Sequence, residues 1–397
     1  MNILYVSDST TVSGAEVVLF GYLDRFRPPA HRCHVFLHRA NRRLQAELDS
    51  RQVAWTATDG YSRVLLETRA HPGALGHYAA SFLKVARDMR QVLRARQIDL
   101  VHSISYPASL YVALAARWCG VPQVWHEHNI KRIHGVNSRL YRFAAASCPA
   151  VVGPSDAVTG NLARAGISTH RLRTVYNGID LARFDVGEAA VAACRREFGL
   201  GPSGLAVGLF GQLLPYKGHR TLIDAAPAIL QSVPGARFFF VGALENPPYQ
   251  EELRRAMDAT GVAGAFTFLG WRRDIPVVLG AMDAVGVLTT TPEPAALGLM
   301  EAMAASRPVV ATRTGGTAEI VVDGETGLLV PPGDAAAAAL AFAGLLTNGD
   351  KRARLGRAGR LRVEREFTLD RHLAEMERIY RAACSAGRRP ISAPASS

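Results

Sequence analysis

Long apolar runs are absent: the 397-residue sequence contains no stretch of roughly eighteen residues apolar enough to span a bilayer. The opening residues, MNILYVSD, pass directly into an apolar segment without a cationic n-region or a small-residue cleavage site, so no signal peptide is expected. Cysteine is scarce. The five present, Cys33, Cys119, Cys148, Cys194 and Cys384, are odd in number and scattered, with no C-x-x-C pair. That usage predicts reduced structural thiols in a cytosolic protein rather than a disulfide framework. No His/Cys grouping has metal-ligand spacing, so no metal is expected. No G-x-G-x-x-G follows the first apolar run, which argues against a dinucleotide-dependent enzyme. Tandem repeats and low-complexity tracts are missing too. What is there, 48% hydrophobic and 20% charged residues, has the composition of a soluble globular protein long enough for two domains of roughly 180–200 residues.

Acidic residues are short in one half only. Residues 1–185 hold 23 Lys+Arg against 13 Asp+Glu, a balance of +10, while residues 186–397 hold 23 against 21, or +2. Lys84, Arg87, Arg90 and Arg94 recur at helical spacing on a helix expected over 74–96, and Lys131, Arg132, Arg139 and Arg142 form a second cluster. The first half therefore calls for an anionic partner. No nucleic-acid-binding motif accompanies the charge, so the expected partners are an anionic membrane surface or a phosphate-bearing acceptor, not nucleic acid. An Arg-rich solvated face is the plain alternative.

Apolar patterning predicts strands at 2–7, 34–37, 98–103, 123–126, 151–152 and 174–176, with helices at 15–26, 74–96 and 108–118. A turn at 177–180 and a hinge over 185–204 with a short helix inside lead to a second series. Its strands are expected at 205–210, 237–241, 266–269, 284–288, 309–311 and 327–330, and its helices at 220–230, 334–346 and 351–367. A last amphipathic helix covers 369–383, and the tail 388–397 is expected to be disordered. Strand–helix alternation of this kind implies an α/β fold of two doubly wound parallel sheets.

Four segments carry chemistry. In TPEPAALGLMEAMA, Glu293 stands in a Pro-bracketed loop after a buried strand, and Glu301 lies on a helix expected to begin just after Pro294. A strand, a tight turn and a helix N-terminus hold an anion, phosphate above all, and carboxylates beside it suit sugar or ribose hydroxyls. In FGQLLPYKGH, Lys217 and Gly218 sit where a helix dipole and an ammonium can meet a diphosphate together. Near the N-terminus, Gly14 in SGAE follows the first strand, where Ser13 serves equally well as a plain helix cap. A strand-end histidine, His126 or secondarily His128, closes VWHEH.

The Glu293 segment resembles the E-x7-E region of retaining, nucleotide-sugar-dependent glycosyltransferases of the GT-B fold, family 4, usually written E-P-F-G-x-x-x-x-E-A-M-A. Glu293, Pro294 and Glu301-Ala302-Met303-Ala304 match; Ala295-Ala296 replace Phe-Gly, and a glycine follows at Gly298. FGQLLPYKGH resembles the family's G-R-x-x-x-x-K-G, with Gln212 in place of the arginine. The Gly14 turn, His126, 177–180 and the GGTAE segment around Gly315 and Glu319 also match family landmarks in order.

The resemblance implies two Rossmann-like domains facing across a cleft. An acceptor-binding domain would cover 1–183 and a nucleotide-sugar domain 184–368, with helix 369–384 crossing back to the first. It implies His126, Lys217 and Glu293 as catalytic, and Gly14, Gln212, Lys217, Glu293, Leu297, Gly298 and Glu301 as donor-binding. It further implies no cofactor beyond the nucleotide sugar as co-substrate, and no metal, since Lys217 supplies positive charge and no D-x-D pair occurs. The acceptor would be a saccharide or lipid-linked hydroxyl met in the cytoplasm or at the inner membrane face. A catalytically silent protein of the same fold is the competing expectation, favoured by Ala295-Ala296 and Gln212.

Overall fold

The computed structural model describes residues 1–61, 72–133, 135–201, 203–244 and 246–387. The chain forms two compact units, 1–175 with 373 onward, and 176–372.

The first unit runs β1 (Asn2–Ser7), α1 (Gly14–Arg25), β2 (Arg32–His38), α2 (Arg42–Ser50), β3 (Ala54–Thr58), α3 (Pro72–Ala95), β4 (Leu100–Ser103), α4 (Tyr106–Cys119), β5 (Gln123–His126), α5 (Val136–Ala146), β6 (Ala150–Gly153), α6 (Asp156–Arg164) and β7 (Leu172–Thr174). Its seven strands are all parallel, in the order β3-β2-β1-β4-β5-β6-β7. Central strands such as β4 and β5 are buried along their whole length, which is why they read as short continuous apolar runs. The order reverses between β1 and β4, and in open α/β sheets the loops leaving such a point frame the ligand crevice.

The second unit runs α7 (Glu188–Glu197), β8 (Ala206–Phe210), α8 (His219–Ser232), β9 (Arg237–Val241), α9 (Pro247–Ala259), β10 (Phe266–Gly270), α10 (Ile275–Ala281), β11 (Ala284–Val287), α11 (Leu297–Ala304), β12 (Val309–Thr312), α12 (Thr317–Ile320), β13 (Leu328–Val330), α13 (Ala335–Leu346) and α14 (Gly349–Glu366). Six parallel strands lie in the order β10-β9-β8-β11-β12-β13, so the reversal falls between β8 and β11. The last helix, α15, spans Leu369–Gly387. Leu373, Met376, Ile379, Tyr380 and Ala383 make its buried stripe, each large member contributing about 1.5–3 kcal/mol.

Three expectations need correcting. The segment 185–204 is no free hinge, because Cys194, Phe198 and Leu200 are buried in the core of the second unit beside Val278 and Met282. Residues 176–183 also group with the second unit, where Ile179 joins that core. Helix α11 begins at Leu297 rather than just after Pro294, since position 296 is extended (φ −69°, ψ 102°). The expected disordered tail, 388–397, lies outside the described residues.

Gly178 in the turn at 177–180 takes an ordinary φ but has no room. A Cβ there would stand 2.6 Å from Leu369 Cα and 2.7 Å from the Thr368 carbonyl oxygen. The turn is closed by His372, whose Nδ1 lies 2.7 Å from the Tyr176 carbonyl.

Candidate functional site

In the second unit, the two loops that leave the reversal point are the ones carrying the candidate residues. After β8, Leu214–Lys217 tightens into a turn and Gly218 caps α8 at φ +83°. Only glycine fits at 218: a Cβ would meet the Leu288 carbonyl oxygen at 2.0 Å, so the β8 and β11 loops touch backbone to backbone. The Thr290 N–H donates to the Tyr216 carbonyl at 2.8 Å and locks the same two loops together. Glu293 is held from its other side by Gly315 (φ +54°), where a Cβ would lie 2.1 Å from the Glu293 carbonyl oxygen. The Gly316 N–H donates to that oxygen at 2.7 Å. The GGTAE segment thus shapes the Glu293 loop through the backbone.

The outcome is a direct bond. Lys217 Nζ donates to Glu293 Oε2 at 2.9 Å, with both side chains mostly buried. Sequence reading gave the two residues separate roles; the structure brings them to one point. The first N–H groups of α8 and α11 lie at the ends of these loops, and Leu297 and Gly298, opening α11, have no helical acceptor for theirs. Gly298 does not take a left-handed φ, and a Cβ would meet only Phe210 at 3.9 Å. Ala296 adopts angles open to any residue, so this position needs no glycine.

Glu301, one turn into α11, is half-buried. Burial raises its carboxyl above the usual range, and Arg183 partly offsets this. Its carboxylate takes no protein hydrogen bond among the described residues. Gln212 is exposed on the loop after β8, five positions before Lys217. His219 is fully buried, and burial holds it down to about 4, so it is a neutral packing residue at the start of α8.

Gly14 belongs to the first unit. It is exposed as the first residue of α1. Its neighbour Ser13 donates through N–H and hydroxyl to Glu16 Oε2 at 2.8 and 2.6 Å, and Ser7 donates to Glu16 Oε1 at 2.9 Å. That network explains the local S-G-A-E pattern as a helix start capped by a buried glutamate.

His126 ends β5, fully buried among aromatic rings. It stacks on His102 at 5.6 Å and lies 3.9 Å from the His128 ring, with the Tyr22 hydroxyl 3.5 Å from its Nδ1. His102 is itself joined to Tyr380 of α15, Nδ1 to hydroxyl at 2.5 Å. Two residues beside this site were not singled out from sequence: Glu127, the middle letter of the H-E-H, and Asp8, which follows β1 and accepts from the Ser105 hydroxyl at 2.5 Å. Among the described residues no group of three His, Cys, Asp or Glu is arranged to hold a metal ion.

Two doubly wound parallel sheets, each with polar groups at its reversal point, are the architecture of GT-B sugar transferases. The chain is similar in structure to Anabaena HepE in complex with UDP and glucose. The TM-score is 0.84 at 25% identity, with 96% of this chain and 100% of that one covered. Family models agree: "Glycosyltransferase Family 4" matches residues 12–183 and "Glycosyl transferases group 1" matches 196–362. The D-inositol 3-phosphate glycosyltransferase of Salinispora tropica is 30% identical over 355 residues, covering 81% of this chain and 70% of that protein. A GDP-mannose-dependent phosphatidylinositol monomannoside mannosyltransferase of Mycobacterium tuberculosis is 33% identical over 207 residues, or 50% and 53% of the two chains. The chain belongs to the family 4 glycosyltransferases and is a glycosyltransferase.

Proposed function

We propose that the protein transfers a hexosyl group from a nucleoside-diphosphate sugar to an acceptor hydroxyl with retention at the anomeric carbon. The observation that carries this reading is the Lys217–Glu293 pair at the reversal point of the second unit. A cation and a carboxylate at one crevice, beside two helix N-termini, match the two ends of such a donor: a diphosphate and a ring of hydroxyls. Lys217 with the N–H groups opening α8 and α11 stabilises charge on the departing diphosphate. Glu293 holds sugar hydroxyls and Glu301 the ribose. The bond from C1 to the phosphate oxygen breaks and the bond from C1 to the acceptor oxygen forms on the same face. The acceptor proton passes to the leaving phosphate. Lys217 supplies the positive charge, so the reaction proceeds without a divalent metal. His126 acts on the acceptor side, in the first unit.

Against the silent-protein alternative, Ala296 takes backbone angles open to any residue. The direct test is to incubate the protein with UDP-, GDP- and ADP-sugars and measure nucleoside-diphosphate release, with the product anomer read by NMR. Release with retained configuration is expected. Donor binding without release would favour the silent reading.

The acceptor is a saccharide or lipid-linked hydroxyl of cell-surface polysaccharide or glycolipid synthesis, reached at the cytoplasmic face of a membrane. Lys84, Arg87, Arg90 and Arg94 are exposed on α3, and Arg139 and Arg142 on α5. The two helices flank α4, whose Trp118 is 47% exposed; Leu83 and Phe143 stand out beside the basic groups at 44% and 53%. Basic groups mixed with exposed apolar ones suit an anionic bilayer, each cation contributing about 1 kcal/mol within a Debye length of about 8 Å. No described helix is long and apolar enough to cross a membrane. Co-sedimentation with anionic but not neutral vesicles at low salt is expected, and reversing Arg87, Arg90 and Arg94 to Glu should abolish it. Equal binding to both vesicle types would refute it.

A further inference from the structure

Glu127 has no part in the chemistry above. Its N–H extends the ladder past β5 by donating to the Val152 carbonyl at 2.8 Å, so strand alternation turns its side chain away from the His126 face. It shares instead the face of Trp125, where α4 and α5 bring Tyr106 and Tyr141, their rings stacked at 3.7 Å. Glu127 is 1% exposed. The Asn129 N–H donates to its Oε1 at 3.0 Å, while Oε2 has no partner among the described residues. The Tyr106 hydroxyl, on a residue also 1% exposed, is unpartnered too.

Buried polar atoms are nearly always satisfied, and two open ones on neighbouring elements mark a place where something else completes the bonding. Both stand at the carboxyl edge of the sheet: Glu127 follows β5, and Tyr106 opens the helix after β4. Asp8 and Ser105, joined by their hydrogen bond, flank the adjacent reversal between β1 and β4. One open atom is a carboxyl oxygen and the other a phenol, so a single hydroxyl could donate to the first and accept from the second.

We propose that Glu127 Oε2 and the Tyr106 hydroxyl together bind one hydroxyl of a polyol acceptor, making Glu127 an acceptor-positioning residue. This rests on the reading of the first unit as the acceptor side. The groups that face the carboxyl set its titration. Burial pushes it up to about 7; the Lys131 ammonium and the Asn129 N–H pull it down, and the Asp8 carboxylate pushes it up again. Tyr106 and Tyr141 are themselves held neutral by burial and by the nearby Glu127, and His126 and His128 flank it in sequence. The ionised carboxylate is the form that accepts from the hydroxyl, so acceptor binding strengthens as pH rises through about 7.

Two readouts on the full-length protein test this, with glycerol and myo-inositol as probe polyols. In the first, the carboxyl carbons of labelled glutamate are followed by NMR, Glu127 being assigned by its loss in Glu127→Gln. A titration midpoint near neutrality that moves down when polyol is added is expected, and a midpoint indifferent to polyol overturns the proposal. In the second, donor turnover is measured against polyol concentration. Glu127→Gln should raise the polyol KM about ten-fold or more, with a smaller change in kcat, and should flatten its pH dependence. An unchanged KM and pH profile overturns the proposal. If the wild type cleaves no donor yet the NMR midpoint still moves with polyol, the transferase reading fails while the hydroxyl site stands.

Discussion

The two sheet edges solve the problem of a polar site in opposite ways. The second unit exposes opposite charges to each other: Lys217 and Glu293 meet in a bond made by two loops that glycines force together. The first unit buries its polar groups among rings: His126, His102 and Tyr22 in an aromatic stack on one face of β5, and Glu127 with Tyr106 on the other. A paired charge tolerates a half-open crevice, whereas polar groups buried without partners must be satisfied by something else. The difference teaches that one parallel-sheet plan can carry paired charges or buried polar groups at its carboxyl edge, according to the loops that leave it.

The comparison breaks most visibly at Gly218. Gly218→Ala drives a Cβ into the Leu288 carbonyl, and a loss of about 3–5 kcal/mol is expected. Urea unfolding should show the loss in the second unit; a change under about 1 kcal/mol would mean the two loops are free to separate. Lys217→Ala removes the cation but not the fold. Turnover at saturating donor should fall by about 30- to 1000-fold, equivalent to roughly 2–4 kcal/mol, and wild-type turnover would remove the diphosphate role.

A third test concerns the buried acid. Because the folded value of Glu127 is raised to about 7, its contribution to stability is complete below the unfolded value and is lost as pH rises through 7. Glu127→Gln should therefore match the wild type in acid and become the more stable protein by about 3 kcal/mol above pH 8. A stability difference that does not change with pH would show the carboxyl to be solvated. The smallest effect is expected for Ala296→Gly, which restores the family's glycine. With an ordinary backbone at 296, kcat should stay within about two-fold and stability within about 1 kcal/mol. A large gain in activity would mean that the reacting state needs a backbone conformation this structure does not adopt.

Much of this was legible in advance, for identifiable reasons. Strands β5 and β9 fall where their apolar runs end, because buried parallel strands have no other pattern to offer. Lys217 and Glu293 fall on the loops after β8 and β11, as the buried apolar runs before them imply. The region of α2 and β3 was not legible: RRLQAELDS is polar and AWTAT is a half-buried edge strand, so neither shows a strong period. The start of α11 was misplaced because Ala295 and Ala296 are good helix formers, yet Ala296 is held extended at the loop's end. Glu127 was passed over because the histidines around it drew the chemistry. Pairings such as Lys217–Glu293, 76 residues apart, and His102–Tyr380, 278 apart, leave no local trace in sequence.

The central claim is that the nucleotide belongs to the second unit and the acceptor to the first. Calorimetry of UDP and GDP binding to the wild type, Glu301→Gln and His126→Ala tests it most directly. The account predicts that Glu301→Gln weakens nucleotide binding by about ten- to a hundred-fold, as expected for a lost charge-assisted hydrogen bond, while His126→Ala binds as the wild type does. Intact nucleotide binding in Glu301→Gln, with loss in His126→Ala, would contradict it.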